Sequence, residues 1–166
     1  MKKLIHVTGN LLTNPNVEVI GHQANCQNTF GAGIARSIKE MYPEAYRVDT
    51  MCAAKEMNVL GSFSAAHINH PTTKLRMIFN LYGQNLGTDH SKKLVRKTNY
   101  EALYSALEKM ANLLSETAPA SRALVVGFPW GMGCGLGGGN WNIVERMIEV
   151  AFDGYAEDVI VVKFVD

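Results

Sequence analysis

Short apolar runs alternate with longer amphipathic stretches along the chain, and this alternation predicts an order of strands and helices. Short continuous apolar runs are typical of buried strands, whereas apolar positions three or four residues apart indicate a helix. The predicted strands are residues 4–7, 17–21, 61–68, 75–82, 123–128 and 159–165, and the predicted helices are residues 33–41, 46–58, a segment after Thr98, and 140–152. This order favours an α/β domain with a mixed or mostly parallel sheet.

Local signals define several of these elements more closely. Ile34, Ile38 and Met41 lie on one face of the first predicted helix. Thr98 and Glu101 have the spacing of a capping box, which predicts that Thr98 caps the third helix. Residues 61–68 and 75–82 are joined by turn-forming residues and are therefore predicted to form a strand pair.

Composition and charge narrow the class of protein. The 166 residues fit one domain, residues 1–166. Lys plus Arg is 16 and Asp plus Glu is 15, whereas broad nonspecific nucleic-acid binders carry a basic excess. The three cysteines are odd in number and widely spaced, which argues against a disulfide framework or a zinc site. No apolar run approaches the roughly 20 residues of a membrane span, and none resembles a signal peptide. We expect a soluble cytoplasmic protein without a membrane partner.

Two glycine-rich segments follow apolar runs and open into helical patterns. The first glycine segment is residues 25–35, and the second glycine segment is residues 131–141. Glycine lets the backbone approach a ligand closely, and the N–H groups at a helix start attract anions. The pair predicts two phosphates, or one diphosphate held from both sides, and hence a nucleotide-like ligand.

Each segment also has a purely structural interpretation. Gly31 and Gly33 do not fit GxGxxG, and no P-loop lysine follows them, so they are equally consistent with a tight turn. The polar residues 25–29 favour a ligand, because their amides can bind ribose hydroxyls. The second segment has six glycines within nine residues, whereas a turn needs one or two for positive φ. The alternative there is a flexible loop without function. Trp141, at the start of the following helix, is typical of a core anchor.

Few side chains suggest acid–base or nucleophilic chemistry. His22, at the end of a predicted strand, is a candidate general acid or base, although a hydrogen-bonded structural histidine fits the same position. Cys26 and Cys134 would need an activating base to act as nucleophiles, and small buried residues are the favoured interpretation. No carboxylate pair or metal-ligand spacing is present, so neither a metal nor a cofactor is predicted.

A basic cluster lies in the predicted loop 83–97. Its members are Lys92, Lys93, Arg96 and Lys97. They are consistent with a lid that contacts phosphates, but a solvated loop face is the usual role of such a run.

Three motifs together resemble the macrodomain family of ADP-ribose-binding modules. VTGNLL at residues 7–12 is similar to the family's motif after the first strand. HQANCQNTFGAGIA at residues 22–35 and FPWGMGCGLGGGNW at residues 128–141 are similar to its two phosphate loops. The resemblance covers essentially the whole chain in the family's order. It implies a three-layer α/β/α fold with a central mixed sheet.

The resemblance also implies where ADP-ribose lies. Asn10 and Leu11 would lie by the adenine, and Asn25 would face the distal ribose. The diphosphate would lie between Gly31, Ala32, Gly33 and Ile34 on one side and Gly133, Cys134, Gly135, Leu136 and Gly137 on the other.

Three departures from the family pattern concern chemistry. Asn10 stands where aspartate is common, although its carbonyl can still accept a hydrogen bond from the adenine amino group. The branch that removes ADP-ribose from glutamate has an aspartate where this chain has Gly137, and its reactive lysine matches Gln84 here. Gln84 cannot form a Schiff base. The candidate residues that remain near the distal ribose are His22 and Asn25, and they resemble the ADP-ribose 1″-phosphate phosphatase branch. The alternatives are a non-catalytic ADP-ribose reader, and a hydrolase that removes ADP-ribose from protein or nucleic acid with a different residue set.

Overall fold

The computed structural model describes residues 1–86 and 96–166. The strands are β1 (Ile5–Gly9), β2 (Val19–Asn25), β3 (Phe63–His67), β4 (Met77–Gln84), β5 (Val126–Pro129) and β6 (Val159–Phe164). The α-helices are α1 (Gly33–Met41), α2 (Pro43–Ala54), α3 (Tyr100–Thr117) and α4 (Trp141–Ala151), and a short 3-10 helix, η1 (Leu11–Thr13), follows β1. The strand order is β1-β6-β5-β2-β4-β3, with β3 antiparallel to β4 and every other neighbouring pair parallel.

Helices cover both faces of the sheet because alternate strand residues supply two cores. Val159 and Val161 of β6 belong to the core beneath α3 and α4. Ile160 and Val162 belong to the core that includes η1, α1 and α2. This two-sided burial explains why the strands appear in the sequence as continuous apolar runs. The predicted three-layer α/β/α fold with a mixed sheet is confirmed.

Most predicted elements are present, with shifted ends. Helix α1 has the predicted bounds, and residues 61–68 and 75–82 contain the predicted strand pair, which is antiparallel. Helix α2 begins at Pro43 rather than at residue 46, since proline is favoured in the first helical turn. Strand β2 continues to Asn25, beyond the predicted end at residue 21, because His22 and Gln23 pair in register with β4 and Asn25 pairs with Gln84 after a register shift.

The predicted cap of α3 is wrong by one residue. Asn99 is the N-cap, and its Oδ1 accepts a hydrogen bond from the Ala102 N–H at 3.0 Å. Thr98 instead donates its hydroxyl to the Gly133 carbonyl at 2.7 Å. The residue that the spacing assigned to a helix therefore holds the second glycine segment.

Cys26, Cys52 and Cys134 are all free of disulfides. Among residues 1–86 and 96–166, no helix combines the length and the apolar character that a membrane crossing requires.

Candidate functional site

The parallel strands β2 and β5 place the two glycine segments side by side. These strands are neighbours in the sheet, and each leads at its carboxyl end into one of the segments. In open α/β sheets, ligands bind at this edge, where the loops diverge. The two segments thus begin next to each other at the carboxyl edge of the sheet, and the ligand site that we expect between them is called the cleft below.

The first glycine segment ends in a helix terminus that has no cap. Ala32 is the N-cap residue of α1 and makes no side-chain hydrogen bond, and the first turn contains no acidic residue. By contrast, Asn99 and Asn140 cap α3 and α4. The first N–H groups of a helix have no intrahelical acceptor. The start of α1 can therefore receive an anion on its backbone N–H groups.

Gly31 and Gly33 face open space beside this terminus. A Cβ atom built on either residue would have no atom of another residue within 4 Å, and Gly33 has a left-handed φ of 56°. A concavity of about 360 Å³ borders Gly31, with Arg36 and Lys39 among its lining residues. A larger one, about 480 Å³, includes Glu18 and Arg76 and lies away from both glycine segments.

Asn25 folds the start of the first segment onto itself. Its Nδ2 donates to the Thr29 hydroxyl at 2.7 Å and to the Thr29 carbonyl at 3.0 Å, and its Oδ1 accepts from the Gln27 N–H at 3.0 Å. The side chain is partly exposed at the end of β2. Asn25 therefore lies at the carboxyl end of β2, where its amide shapes the loop.

The second glycine segment forms a compact turn with its own hydrogen bonds. The Gly139 N–H donates to the Gly133 carbonyl at 2.9 Å, and the Gly138 N–H donates to the Gly135 carbonyl at 3.0 Å. Gly131, Gly133 and Gly138 have left-handed φ angles between 72° and 76°. Half of the six glycines are thus explained by backbone conformation alone.

Packing requires glycine at position 137, whatever contact its backbone makes with a ligand. A Cβ atom on Gly137 would collide with the Thr98 hydroxyl and would lie 2.7 Å from the Gly133 carbonyl oxygen. The Gly137 carbonyl accepts hydrogen bonds from the N–H groups of Lys97 and Thr98 at 2.9 and 3.0 Å. The aspartate of the related branch would have no room in this loop conformation.

Gly135 and Leu136 are exposed residues in the middle of the second glycine segment. A Cβ atom on Gly135 would contact nothing within 4 Å, and the Leu136 side chain is 79% exposed. Their N–H groups have no backbone acceptor within the described residues. Gly135 has neither a positive φ nor a crowded Cβ position, so neither backbone conformation nor packing within the described residues requires glycine there.

Gly133 and Cys134 precede these two exposed residues and are partly buried. A Cβ atom on Gly133 would lie 3.0 Å from Gln23 Oε1. The Cys134 thiol donates to the Met132 carbonyl at 3.3 Å, and burial raises its pKa. Burial, Asp49 and Cys52 raise the pKa of the Cys26 thiol to about 11. Both thiols are therefore protonated near neutral pH and are poor nucleophiles.

The sequence analysis missed the two side chains that link the cleft walls. Gln23 Nε2 donates to Gln84 Oε1 at 3.0 Å and to the Thr98 hydroxyl at 2.9 Å. Gln84 ends β4 and pairs with Asn25 across a register shift. Since Thr98 binds Gly133, this amide pair connects β2 and β4 to the second segment. The polar residues that follow the apolar part of β2 were the available signal.

The structure places His22 in the core. The side chain is wholly buried, its Nε2 lies 2.7 Å from Asn80 Oδ1, and its Nδ1 has no hydrogen-bond partner among the described residues. Asn80 Nδ2 donates to the Ala45 carbonyl at 3.0 Å, so its oxygen must face His22 and Nε2 must carry the proton. Burial lowers the pKa of His22 to about 4, against the opposing effects of Asn80 and the Gln23 backbone. This environment favours the structural interpretation over proton transfer to a ligand.

We expect His22 to remain a neutral Nε2–H tautomer from pH 8 down to about pH 5. Long-range proton–nitrogen correlation spectra of the ring would test this, and a titration midpoint between pH 6 and 7 would contradict it. Because the unfolded chain takes up this proton near pH 6.5 and the folded chain only near pH 4, the histidine's contribution to stability falls as pH decreases through that window.

The remaining predicted residues lie beside the end of β1. Asn10 is exposed, and its Oδ1 caps η1 by accepting the Leu12 N–H at 2.9 Å. The Leu11 side chain is buried against Gly127. Leu11 could therefore meet a ligand mainly through its backbone. Phe164, at the end of β6, is 65% exposed and pairs in register with Gly9. The sequence analysis treated it as part of a buried strand and so missed this exposed ring.

Part of the predicted basic lid lies outside the described residues, which exclude Lys92 and Lys93. The Arg96 guanidinium lies 4.1 Å from the centre of the Tyr100 ring, and its Nε donates to the Thr98 carbonyl at 2.8 Å. Arg96 thus supports the anchor of the second segment.

Comparisons with known proteins give two sequence relatives. An uncharacterised 17.5 kDa protein from the tk-vs intergenic region of Enterobacteria phage T4 is 29% identical over 131 residues, which cover 78% of this chain and 77% of the relative. An ADP-ribose 1″-phosphate phosphatase of Ajellomyces capsulatus is 40% identical over 48 residues, which cover 29% of this chain and 19% of that enzyme. No family model matches the chain.

Solved structures match nearly the whole chain. A protein of unknown function from Bacteroides thetaiotaomicron has a TM-score of 0.81 at 21% identity, covering 98% of each chain. The macrodomain of Mycobacterium tuberculosis DarG has a TM-score of 0.77 at 20% identity, again covering 98% of each chain. Thermosipho africanus DarTG in complex with ADP-ribose has a TM-score of 0.67 at 16% identity, covering 90% of this chain and 38% of that one. The chain therefore has the macrodomain fold that its sequence motifs resemble.

Proposed function

We propose that the cleft between the two glycine segments binds ADP-ribose by its diphosphate. The observation that carries this proposal is the uncapped start of α1 beside the open Gly31 and Gly33. The N–H groups of Gly135 and Leu136, which have no backbone acceptor among residues 1–86 and 96–166, would supply the opposite wall. Backbone N–H groups at a helix start suit phosphate oxygens. The DarTG structure with the same fold, solved with ADP-ribose, supports this choice of ligand.

The two ends of the cleft suit the two ends of that ligand. At the β1 end, Asn10 retains a lone pair on its Oδ1 for the adenine amino group. Phe164 offers an exposed aromatic face there, on which a base can stack. At the β2 end, Asn25 would face the distal ribose. The neutral amides of Gln23 and Gln84 also lie at the ends of β2 and β4, and such groups suit hydroxyl recognition.

A second candidate function is removal of the phosphate from ADP-ribose 1″-phosphate. The 40% identity to such a phosphatase over 48 residues favours it. In this reaction water attacks phosphorus and the bond to the 1″ oxygen breaks. Asn25 would orient the distal ribose, because an amide is neither a useful acid nor a useful base at neutral pH. His22 would stabilise the strand behind it.

Calorimetric titration with ADP-ribose, followed by a phosphate-release assay, tests both candidates. We expect saturable binding of one ADP-ribose, release of phosphate from ADP-ribose 1″-phosphate, and loss of at least about tenfold in kcat/KM for Asn25→Ala. Asn69→Ala, an exposed asparagine after β3, is the control.

Binding without release would exclude the phosphatase and leave a non-catalytic reader. Release of ADP-ribose from an ADP-ribosylated glutamate peptide or from ADP-ribosylated DNA would instead indicate a hydrolase acting on macromolecules. Absence of ADP-ribose binding would contradict the proposed function itself.

A further inference from the structure

Helix α2 and the residues after it make hydrogen bonds that support the first glycine segment. Asn28 has a left-handed φ of 55°, which is uncommon for a residue other than glycine. Its side-chain Oδ1 lies 3.1 Å from the Thr50 hydroxyl, and its carbonyl accepts from the Tyr46 hydroxyl at 3.4 Å. Asn58 Nδ2 donates to the Cys26 carbonyl at 2.8 Å. The path of the segment before Gly31 is thus held by groups that face away from the cleft.

The side chain of Phe30, which precedes Gly31, packs between two other rings. Phe30 is buried and packs edge-on against His22, with ring centres 5.3 Å apart, and against Tyr46, with centres 5.2 Å apart. Such edge-to-face contacts define the orientation of a ring as well as its burial. A shift of Tyr46 would therefore move Phe30 and the glycine that follows it.

A buried hydrogen-bond chain joins this packing to the sheet. His22 Nε2 donates to Asn80 Oδ1 at 2.7 Å, and Asn80 Nδ2 donates to Ser64 Oγ at 3.0 Å. Ser64 and Tyr82 are joined by their hydroxyls at 2.7 Å, and Tyr82 donates to Asp49 Oδ1 at 2.6 Å. Since Tyr82 uses its proton on Asp49, Ser64 must donate to Tyr82. All donors then point from His22 towards Asp49, an arrangement in which each bond polarises the next.

This chain determines where α2 sits. The fully buried residues of α2 are Ala45 and Asp49, one helical turn apart. Asn80 binds the Ala45 carbonyl and Tyr82 binds the Asp49 carboxyl, so two residues of β4 hold one face of the helix. No large side chain of α2 is fully buried, although Tyr46, Val48 and Cys52 pack against the core, so these polar bonds act together with apolar packing to hold the helix on the sheet.

We propose that Asn80, Tyr82 and Asp49 are positioning residues for the ligand site: they fix α2, and α2 fixes the first glycine segment through Thr50 and Tyr46. The inference rests on the proposed function, because it is measured as affinity for ADP-ribose. None of these residues touches the cleft, and their contribution is to hold the backbone in the conformation that binds. Residues that couple to a site in this way typically change affinity by about 0.5–2 kcal/mol, or about two- to thirtyfold.

Thr50 gives the sharpest test because it is exposed and contributes little to the core. Thr50→Val removes the hydroxyl and should weaken ADP-ribose binding about fivefold, whereas Thr50→Ser should retain the parent affinity. Thr117→Val is the matched control, since the Thr117 hydroxyl also bonds the carbonyl four residues earlier on an exposed helix. All three variants should keep the parent melting temperature.

Tyr82→Phe tests the buried chain, with Tyr155→Phe as its control. Both hydroxyls are buried and donate to an oxygen at 2.6 Å, but Tyr155 bonds the Leu124 carbonyl in the other core. Both variants should lose stability, and only Tyr82→Phe should weaken ADP-ribose binding, by about five- to tenfold.

Two results would overturn the inference while leaving the proposed function intact. One is parent-like affinity in both Thr50→Val and Tyr82→Phe. The other is an equal loss of affinity in Thr117→Val and Tyr155→Phe, which would indicate a general effect of stability. If the parent protein itself does not bind ADP-ribose, the proposed function fails first. Should Tyr82→Phe not fold, the Thr50 variants decide.

Discussion

Gly33→Glu is expected to reduce the affinity for ADP-ribose by at least about a hundredfold. A Cβ atom at Gly33 enters open space next to the uncapped start of α1, where the diphosphate is proposed to lie. The carboxylate would compete for the same N–H groups and repel the ligand, and like charges brought together cost several kcal/mol. Isothermal titration calorimetry measures the loss.

Gly154→Glu provides a matched control for this substitution. Gly154 has a left-handed φ of 76°, and a Cβ atom there would also meet nothing within 4 Å, but the residue lies between α4 and β6. The two variants share the backbone strain and the added charge. We expect parent-like binding for Gly154→Glu, and equal affinities for the two variants would show that the diphosphate does not lie at Gly33.

Gly137→Ala is expected to destabilise the protein and to weaken ligand binding at the same time. The added methyl group would collide with the Thr98 hydroxyl and lie 2.7 Å from the Gly133 carbonyl oxygen. Overpacking of this kind typically costs about 1–3 kcal/mol, which corresponds to roughly 2–4 °C of melting temperature per kcal/mol for a chain of this size. Thermal denaturation followed by circular dichroism measures the shift.

Gly135→Ala separates packing from the mere loss of a glycine. Gly135 belongs to the same segment, but its Cβ position is open and its φ is not positive. The melting temperature of the Gly135→Ala variant should equal that of the parent protein. An equal decrease in both variants would contradict the packing that we assign to Gly137.

The sequence predicted that both glycine segments follow strand ends because glycine spacing and strand ends are local signals. The uncapped start of α1 follows directly from Gly31, Ala32 and Gly33, none of which carries a capping side chain. The sequence could not separate the roles of the second segment's glycines. Gly135 and Gly137 look alike in the chain, and only the position of Thr98, brought in from before α3, distinguishes an open site from a packed one.

The roles of His22 and Thr98 depended on long-range contacts that no local pattern contains. His22 follows an apolar run and looked like the polar end of a strand, but Asn80 of β4 and Phe30 enclose it. Thr98 has capping-box spacing, but Asn99 is the better placed cap and frees Thr98 for Gly133. In both cases the hydrogen-bond partner, Asn80 or Gly133, lies more than thirty residues away along the chain. These tertiary contacts overrode the local signal.

A titration of ¹⁵N-labelled protein with ADP-ribose, followed in amide correlation spectra, tests directly whether the two glycine segments hold the ligand. We expect saturable shifts of the backbone amides of residues 31–35 and of Gly135 and Leu136, the two proposed walls of the cleft. Shifts confined to the concavity near Glu18 and Arg76, or no shifts at millimolar ADP-ribose, would contradict this expectation.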